Sequence, residues 1–190
     1  MLDIHVSPEQ IKYVEDLLQR VNFGRRGDAG GDYTMQRTGI IGQVVVCDLL
    51  KQPRPKGDGF DKGIDLEIHG MKIDVKTMGR TVPFVRGRGY VHNFMGSQAH
   101  FDTQIYLFCS FNMRKNILTI CGWLPKVDFF QRSSFFRQGE IRVNHGGKRI
   151  AIRGKDGMYE IADFLINDFI SPESFCEEMK LYSNNKKKSA

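Results

Sequence analysis

Asp65, Asp74 and Lys76 are the residues whose types and spacing suit chemistry, and they fall within one short stretch, Gly63-Ile64-Asp65-Leu66-Glu67-Ile68-His69-Gly70-Met71-Lys72-Ile73-Asp74-Val75-Lys76. Ile64, Leu66 and Ile68 alternate with Asp65 and Glu67, and Met71, Ile73 and Val75 alternate with Lys72, Asp74 and Lys76. That period of two predicts a pair of half-buried strands. With His69-Gly70 as the turn, and Gly70 supplying a positive φ, the register sets Ile68 against Met71, Glu67 against Lys72 and Asp65 against Asp74. Glu67 and Lys72 should form a cross-strand ion pair. Two carboxylates facing each other, with Cβ atoms about 4.5–5.5 Å apart, repel unless a cation sits between them. Hard oxygen ligands favour Mg²⁺, Mn²⁺ or Ca²⁺, and a Mg²⁺ site takes one or two carboxylates while leaving room for water and phosphate oxygens. Lys76, two residues past Asp74, points to the same side. Its ammonium could orient or help deprotonate an attacking water, or stabilise charge building on a phosphate, while the metal lowers the water's pKa.

These residues resemble the PD-(D/E)xK nuclease superfamily, in which an Asp on one strand is followed by an (Asp/Glu)-x-Lys on the next. The matching pieces are Asp65 and Asp74-Val75-Lys76, and the likeness spans about residues 35–125. It implies an α/β, restriction-endonuclease-like fold, a mixed central sheet flanked by helices. It also implies metal binding by Asp65, Asp74 and the Val75 carbonyl, with Lys76 catalytic. Many members carry Gly-x-x-Gly-Glu on an upstream helix, whose glutamate completes the metal site or its water shell. Here Gly39-Ile40-Ile41-Gly42-Gln43 puts a glutamine at that position, which can ligate or hydrogen-bond but adds no charge. Three outcomes stand open. The site works with two carboxylates plus Gln43, the reading favoured; or Glu15 on the preceding helix supplies a third acid; or the fold is kept with little catalysis. The function the resemblance implies is a Mg²⁺-dependent DNA endonuclease, with Mn²⁺ as a substitute, restriction-like or associated with phage or mobile elements. Its rivals are a non-catalytic nucleic-acid-binding or assembly protein, and a structure-specific or RNA-directed nuclease.

The elements that must position these residues are also legible. Gly39 to Leu50 reads as a buried helix stopping before Pro53, although its β-branched residues leave a strand possible. Ser7-Pro8-Glu9-Gln10 is a helix start with reciprocal capping, followed by an apolar stripe of Ile11, Val14, Leu17, Leu18 and Val21. Residues 104–111 and 117–124 are apolar strands separated by a polar turn, and a short helix follows Pro125. Phe129, Phe130, Phe135 and Phe136 should pack on the core. A last helix runs from Ser171-Pro172 to about Leu181, ahead of a frayed basic tail at 184–190.

With 190 residues the chain can bury one substantial core, so residues 1–183 read as one domain. A net charge of +6 suits a polyanionic partner, DNA first and RNA as the alternative. Arg80, Arg86 and Arg88, interleaved with glycines and aromatics after Lys76, are candidate phosphate contacts, as is Lys62. The loops containing Arg25, Arg26, Lys51, Arg54 and Lys56 could flank a DNA groove. His92 and His100 are expected to be hydrogen-bonded or solvent-facing. Cys47, Cys109, Cys121 and Cys176 lack metal or disulfide spacing and read as reduced thiols. No stretch resembles a membrane span or secretory leader, so a bacterial or phage intracellular setting is expected. A homodimer would be the simplest way to cut both strands of a duplex.

Overall fold

Helix α1 (Pro8–Arg20) starts with the reciprocal cap: Ser7 Oγ accepts from the Gln10 amide at 3.1 Å, and Gln10 Oε1 accepts from the Ser7 amide at 2.9 Å. Its Val14 and Leu17 are buried. The computed structural model describes residues 1–23, 32–57, 63–143 and 147–188. Arg25, Arg26 and Lys62 therefore lie outside the described residues, and their expected roles rest on sequence alone.

Helix α2 (Tyr33–Leu49) begins six residues before Gly39, because Asp32 accepts from the Met35 amide at 2.8 Å and nucleates the first turn earlier. Every residue from Ile40 to Cys47 is buried. A helix apolar all round must be covered on all sides, and this one lies between α1 and the central sheet. That double burial favours helix over strand for Val44, Val45 and Val46. Arg54 clamps the two helices, its guanidinium bidentate on Asp48 at 2.6 and 2.7 Å and reaching Glu9 at 2.6 Å. It is committed to these acids.

The five-stranded sheet has the order β1-β6-β5-β3-β2, from β1 (Leu2–His5), β2 (Leu66–Ile68), β3 (Met71–Arg80), β5 (Ile105–Asn112) and β6 (Ile117–Pro125). Only β3 and β5 run parallel within it; the other neighbours are antiparallel. Every residue of β5 is buried, as suits a central strand covered on both faces. Ile73 and Val75 of β3, with Ile105 and Leu107 of β5, join a core built with α1, α2 and α4 (Pro172–Lys188). Asp74 and Lys76 point the other way, beside Tyr106 and Phe108. The chain is thus one mixed α/β domain with a five-stranded mixed sheet and four helices among the described residues.

The face bearing Asp74 is covered by α3 (Lys126–Arg132) and by a second sheet that the sequence does not announce. Its order is β4 (Val91–Met95), β10 (Met158–Ala162), β7 (Ser134–Phe136). A separate hairpin joins β8 (Ile141–Val143) to β9 (Arg149–Ala151). Phe129 is buried, stacked on Phe94 at 4.8 Å, whereas Phe135 is 44% exposed and leans on Tyr159, so the phenylalanine run packs only in part. Helix α4 continues to Lys188 and does not end near Leu181; lysine is a good helix former, so nothing in that run stops it. All four cysteines are unpaired thiols. No helix among the described residues is long and apolar enough to cross a membrane.

His92 departs from expectation. It is completely buried, 5.1 Å from the Phe108 ring and 6.1 Å from Phe84, and neither ring nitrogen has a hydrogen-bond partner. Burial, aided by the nearby Arg80 charge, pushes its pKa down to about 3 from 6.5. The unfolded chain takes up this proton near pH 6.5 and the folded chain only near pH 3. Stability contributed by the neutral ring is therefore intact above pH 6.5 and is lost as pH falls between those values, by about 1 kcal/mol per pH unit. His92→Phe should flatten that slope in urea titrations at pH 7 to 5. An unchanged slope would assign the acid sensitivity elsewhere.

Candidate active site

The hairpin forms in the expected register for three pairs, Leu66 with Ile73, Glu67 with Lys72 and Ile68 with Met71. His69 and Gly70 both take positive φ, 51° and 79°, the pattern of a type I′ turn. The ladder then ends. Asp65 donates its amide to the Ile73 carbonyl at 2.9 Å, so the expected Asp65–Asp74 cross-strand pair is not part of the ladder. Instead the Asp65 carboxylate turns to accept from the Val75 amide at 2.7 Å. A peptide N–H is a better neighbour for a carboxylate than a second carboxylate, which accounts for the departure. Asp65 and Asp74 are thus linked through the residue that follows Asp74. Lys72 pairs with Asp102 and not with Glu67, which contributes only a weaker field.

Asp74 and Lys76 share one face of β3, two residues apart. Lys76 Nζ lies 2.6 Å from Asp74 Oδ2, with side chains 13% and 6% exposed, and it also donates to Gln98 Oε1 at 2.9 Å. The ammonium rests 5.1 Å from the Phe94 ring centre and 5.9 Å from that of Tyr106. Tyr106 is the parallel-strand partner of Asp74, and its buried hydroxyl has no hydrogen-bond partner. Burial, with Asp74 nearby, raises the phenol above its usual pKa, so it stays protonated. Lys126 approaches from the start of α3, its ammonium on the Phe101 carbonyl. Burial lowers its pKa, against the opposing pull of Asp102 and Asp74.

From α2, Gln43 donates through Nε2 to the Asp65 carbonyl at 3.3 Å. Its amide nitrogen therefore steadies the main chain at Asp65. Cys47, one turn further along, feels the same carboxylate: burial first, then Asp65, pushes its thiol up to about 12, so it is not a nucleophile. Glu15 is held by Arg37 at 3.1 Å across α1 and α2, an arrangement that does not bring it to Asp65.

The candidate phosphate contacts divide. Arg80 ends β3 and is partly buried, donating to Ser110 Oγ and the Val91 carbonyl, both at 2.9 Å, with its guanidinium 4.5 Å from the Tyr90 ring centre. Arg86 binds Asp168 and the Ile166 carbonyl. Both bind their own protein. Arg88 is exposed, beside Tyr90 and Phe164 in a shallow open groove. His100 is exposed as well.

Among the described residues no cluster of three or more His, Cys, Asp or Glu side chains is poised to hold a metal. Two carboxylates and a main-chain carbonyl are nonetheless a hard-oxygen donor set of the composition Mg²⁺ accepts, because that ion keeps waters and substrate oxygens in its remaining positions. The Val75 hydrogen bond sets the Asp65 carboxylate against the residue next to Asp74, and by type these donors fit such an ion. Gln98, Tyr106 and Lys126 reach the site from outside the motif. None of the three carried a sequence signal: the β3–β5 register that sets Tyr106 beside Asp74 is long-range. No family model, no curated protein and no solved structure matches this chain.

Proposed function

We propose that this chain is a metal-dependent phosphodiester hydrolase on a restriction-endonuclease-like scaffold, acting on DNA. The observation that carries the reading is the joint held by Val75: its amide binds the Asp65 carboxylate at 2.7 Å, while Asp74 and Lys76 on either side of it pair at 2.6 Å. Asp65, Asp74 and the Val75 carbonyl would hold Mg²⁺, or Mn²⁺ in its place. When bound, such an ion supplies an acidified water and neutralises phosphate charge. Gln43 keeps the Asp65 main chain in place through its 3.3 Å bond. Lys76 has ammonium protons to offer a phosphate oxygen or an attacking water, and its buried, aromatic surroundings strengthen that interaction relative to bulk solvent. Arg88 is available to a phosphate backbone, whereas Arg80 and Arg86 serve the fold.

Supercoiled plasmid and single-stranded DNA incubated with Mg²⁺ or Mn²⁺ test this. Wild type should cut, EDTA should stop it, and Asp65→Asn should lower the rate about a hundredfold or more. Tight DNA binding with no metal-dependent cutting would favour the second reading, a nucleic-acid-binding protein on a nuclease scaffold. The engagement of Gln43 through its amide nitrogen, where an acid would add charge, is the observation on that side. Cutting of RNA alone would move the substrate to the other polymer. A symmetric dimer is proposed for double-strand cleavage and would appear in sedimentation as twice the chain mass.

A further inference from the structure

As the molecule stands, the Asp74–Lys76 pair is covered: Asp74 is 4% exposed and the Lys76 side chain 13%. Residues 96–104 run past it, and their two ends are tied down by main-chain bonds. At one end the Gly96 amide donates to the Gly157 carbonyl at 2.9 Å; at the other the Gln104 amide donates to the Lys72 carbonyl at 2.9 Å, and Thr103 donates to the Gly63 carbonyl. Between these anchors the main-chain bonds seen are local turns, Ala99 to Gly96 and Phe101 to Gln98. The span is secured to the site by lysines. Lys76 donates to Gln98 Oε1, Lys126 to the Phe101 carbonyl, and Lys72 pairs with Asp102, whose side chain is 77% exposed.

We propose that Lys72, Lys76 and Lys126 form a phosphate-binding row, and that residues 97–102 are a strap occupying this row until phosphodiester oxygens replace its three acceptors. The identity of the ligand as a nucleic-acid backbone rests on the function proposed above; the strap does not. Lys72 and Lys76 lie on one face of β3, four residues apart, a span of about 13 Å along the strand. Lys126 holds the Phe101 carbonyl, which along the strap falls between the acceptors of the other two, Gln98 and Asp102. Two of the three acceptors, the Gln98 amide oxygen and the Phe101 carbonyl, are neutral. An ammonium bound to an anionic oxygen gains roughly twice what a neutral acceptor gives, so phosphate oxygens should outcompete them. Asp102, the charged member, is solvent-exposed and is the one whose pairing water and salt weaken most. The strap is thus held well enough to stay and poorly enough to leave.

Amide hydrogen exchange and fluorescence anisotropy on the full chain in EDTA, where no cleavage is needed, test this. A short oligodeoxynucleotide and inorganic tripolyphosphate serve as probes. Either should speed exchange across 97–102 while leaving β5 unchanged. The double variant Gln98→Ala with Asp102→Asn should exchange quickly without a probe and bind the oligonucleotide about fivefold tighter, and Asp102→Asn alone should move both readings the same way. Lys126→Gln should weaken binding and lower the salt-dependence slope by about one. Slowed or unchanged exchange across 97–102 on binding, or a strap variant that binds no tighter, overturns the proposal. Failure of both probes to bind also overturns it, whatever the plasmid assay gives. A strap that opens as described in a chain that never cuts would sink the hydrolase reading and leave the strap standing.

Discussion

Lys76→Ala should abolish cleavage and destabilise the fold together. The rate should fall by a factor of about a hundred to ten thousand, the range expected when a group serving proton transfer or charge stabilisation is removed. The same change takes from Asp74, a 4% exposed carboxylate, the ammonium that lies 2.6 Å from it, and removing one member of a buried pair costs about 3–5 kcal/mol. Loss of activity alone therefore says little. The informative companion is Asp74→Leu with Lys76→Met, which replaces both charges by apolar groups among Phe94, Tyr106 and Phe129. Such replacements are often neutral or stabilising, so the double variant should recover most of the stability in urea denaturation while remaining inactive. A buried ion pair that could be exchanged for apolar side chains without loss is not explained by folding. An active double variant would remove Asp74 and Lys76 from the chemistry, and a single variant as stable as wild type would mean that the pair is not desolvated in solution.

The parts of this arrangement readable from sequence are those specified over short distances. The capping box of α1, the hairpin register and the strand pair β5–β6 each depend on residues within a few positions of one another, so period and turn chemistry suffice. Asp74 and Lys76 were legible for the same reason, since a two-residue spacing on a strand fixes a common face. The second sheet was not. In Val91-His92-Asn93-Phe94-Met95 the inward residues are a histidine and a phenylalanine, and β4 is stabilised by pairing with β10, more than sixty residues away. No local pattern encodes that pairing. Arg80 failed in the opposite sense: interleaved with glycines after Lys76 it read as a phosphate contact, yet β3 continues to Arg80 and its guanidinium is drawn in by the Tyr90 ring and the Val91 carbonyl. Asp65 lies beside Val75 but not in the cross-strand geometry expected of it, because a strand end can turn a side chain toward a main-chain donor that register arithmetic ignores.

The two glycines of Gly39-x-x-Gly42 should respond to alanine with opposite sign, and the contrast shows what the motif does in this chain. A Cβ at Gly39 would meet no atom within 4 Å, so Gly39→Ala should stabilise helix α2 by about 0.5–1 kcal/mol through helix propensity alone. A Cβ at Gly42 would lie 1.8 Å from Thr77 Oγ1 and 2.9 Å from Thr77 Cβ. Thr77 belongs to β3, one residue past Lys76, and β3 is pinned on one side by β5 from Ile73 to Arg80. The strand cannot yield, so α2 must move out. Overpacking of this kind costs about 1–3 kcal/mol and occasionally more, and with Thr77 Cβ itself in the way we expect about 3 kcal/mol here. The displacement falls on the next residue, Gln43, whose 3.3 Å bond to the Asp65 carbonyl has little slack. Gly42→Ala should therefore lower cleavage more than its loss of stability explains when assayed well below its melting temperature. Gly42→Ala combined with Thr77→Gly, which removes the clashing side chain from the strand, should restore both. If the combined variant recovers stability without recovering cleavage, the close approach of α2 to β3 serves packing alone and Gln43 does not position Asp65 for catalysis.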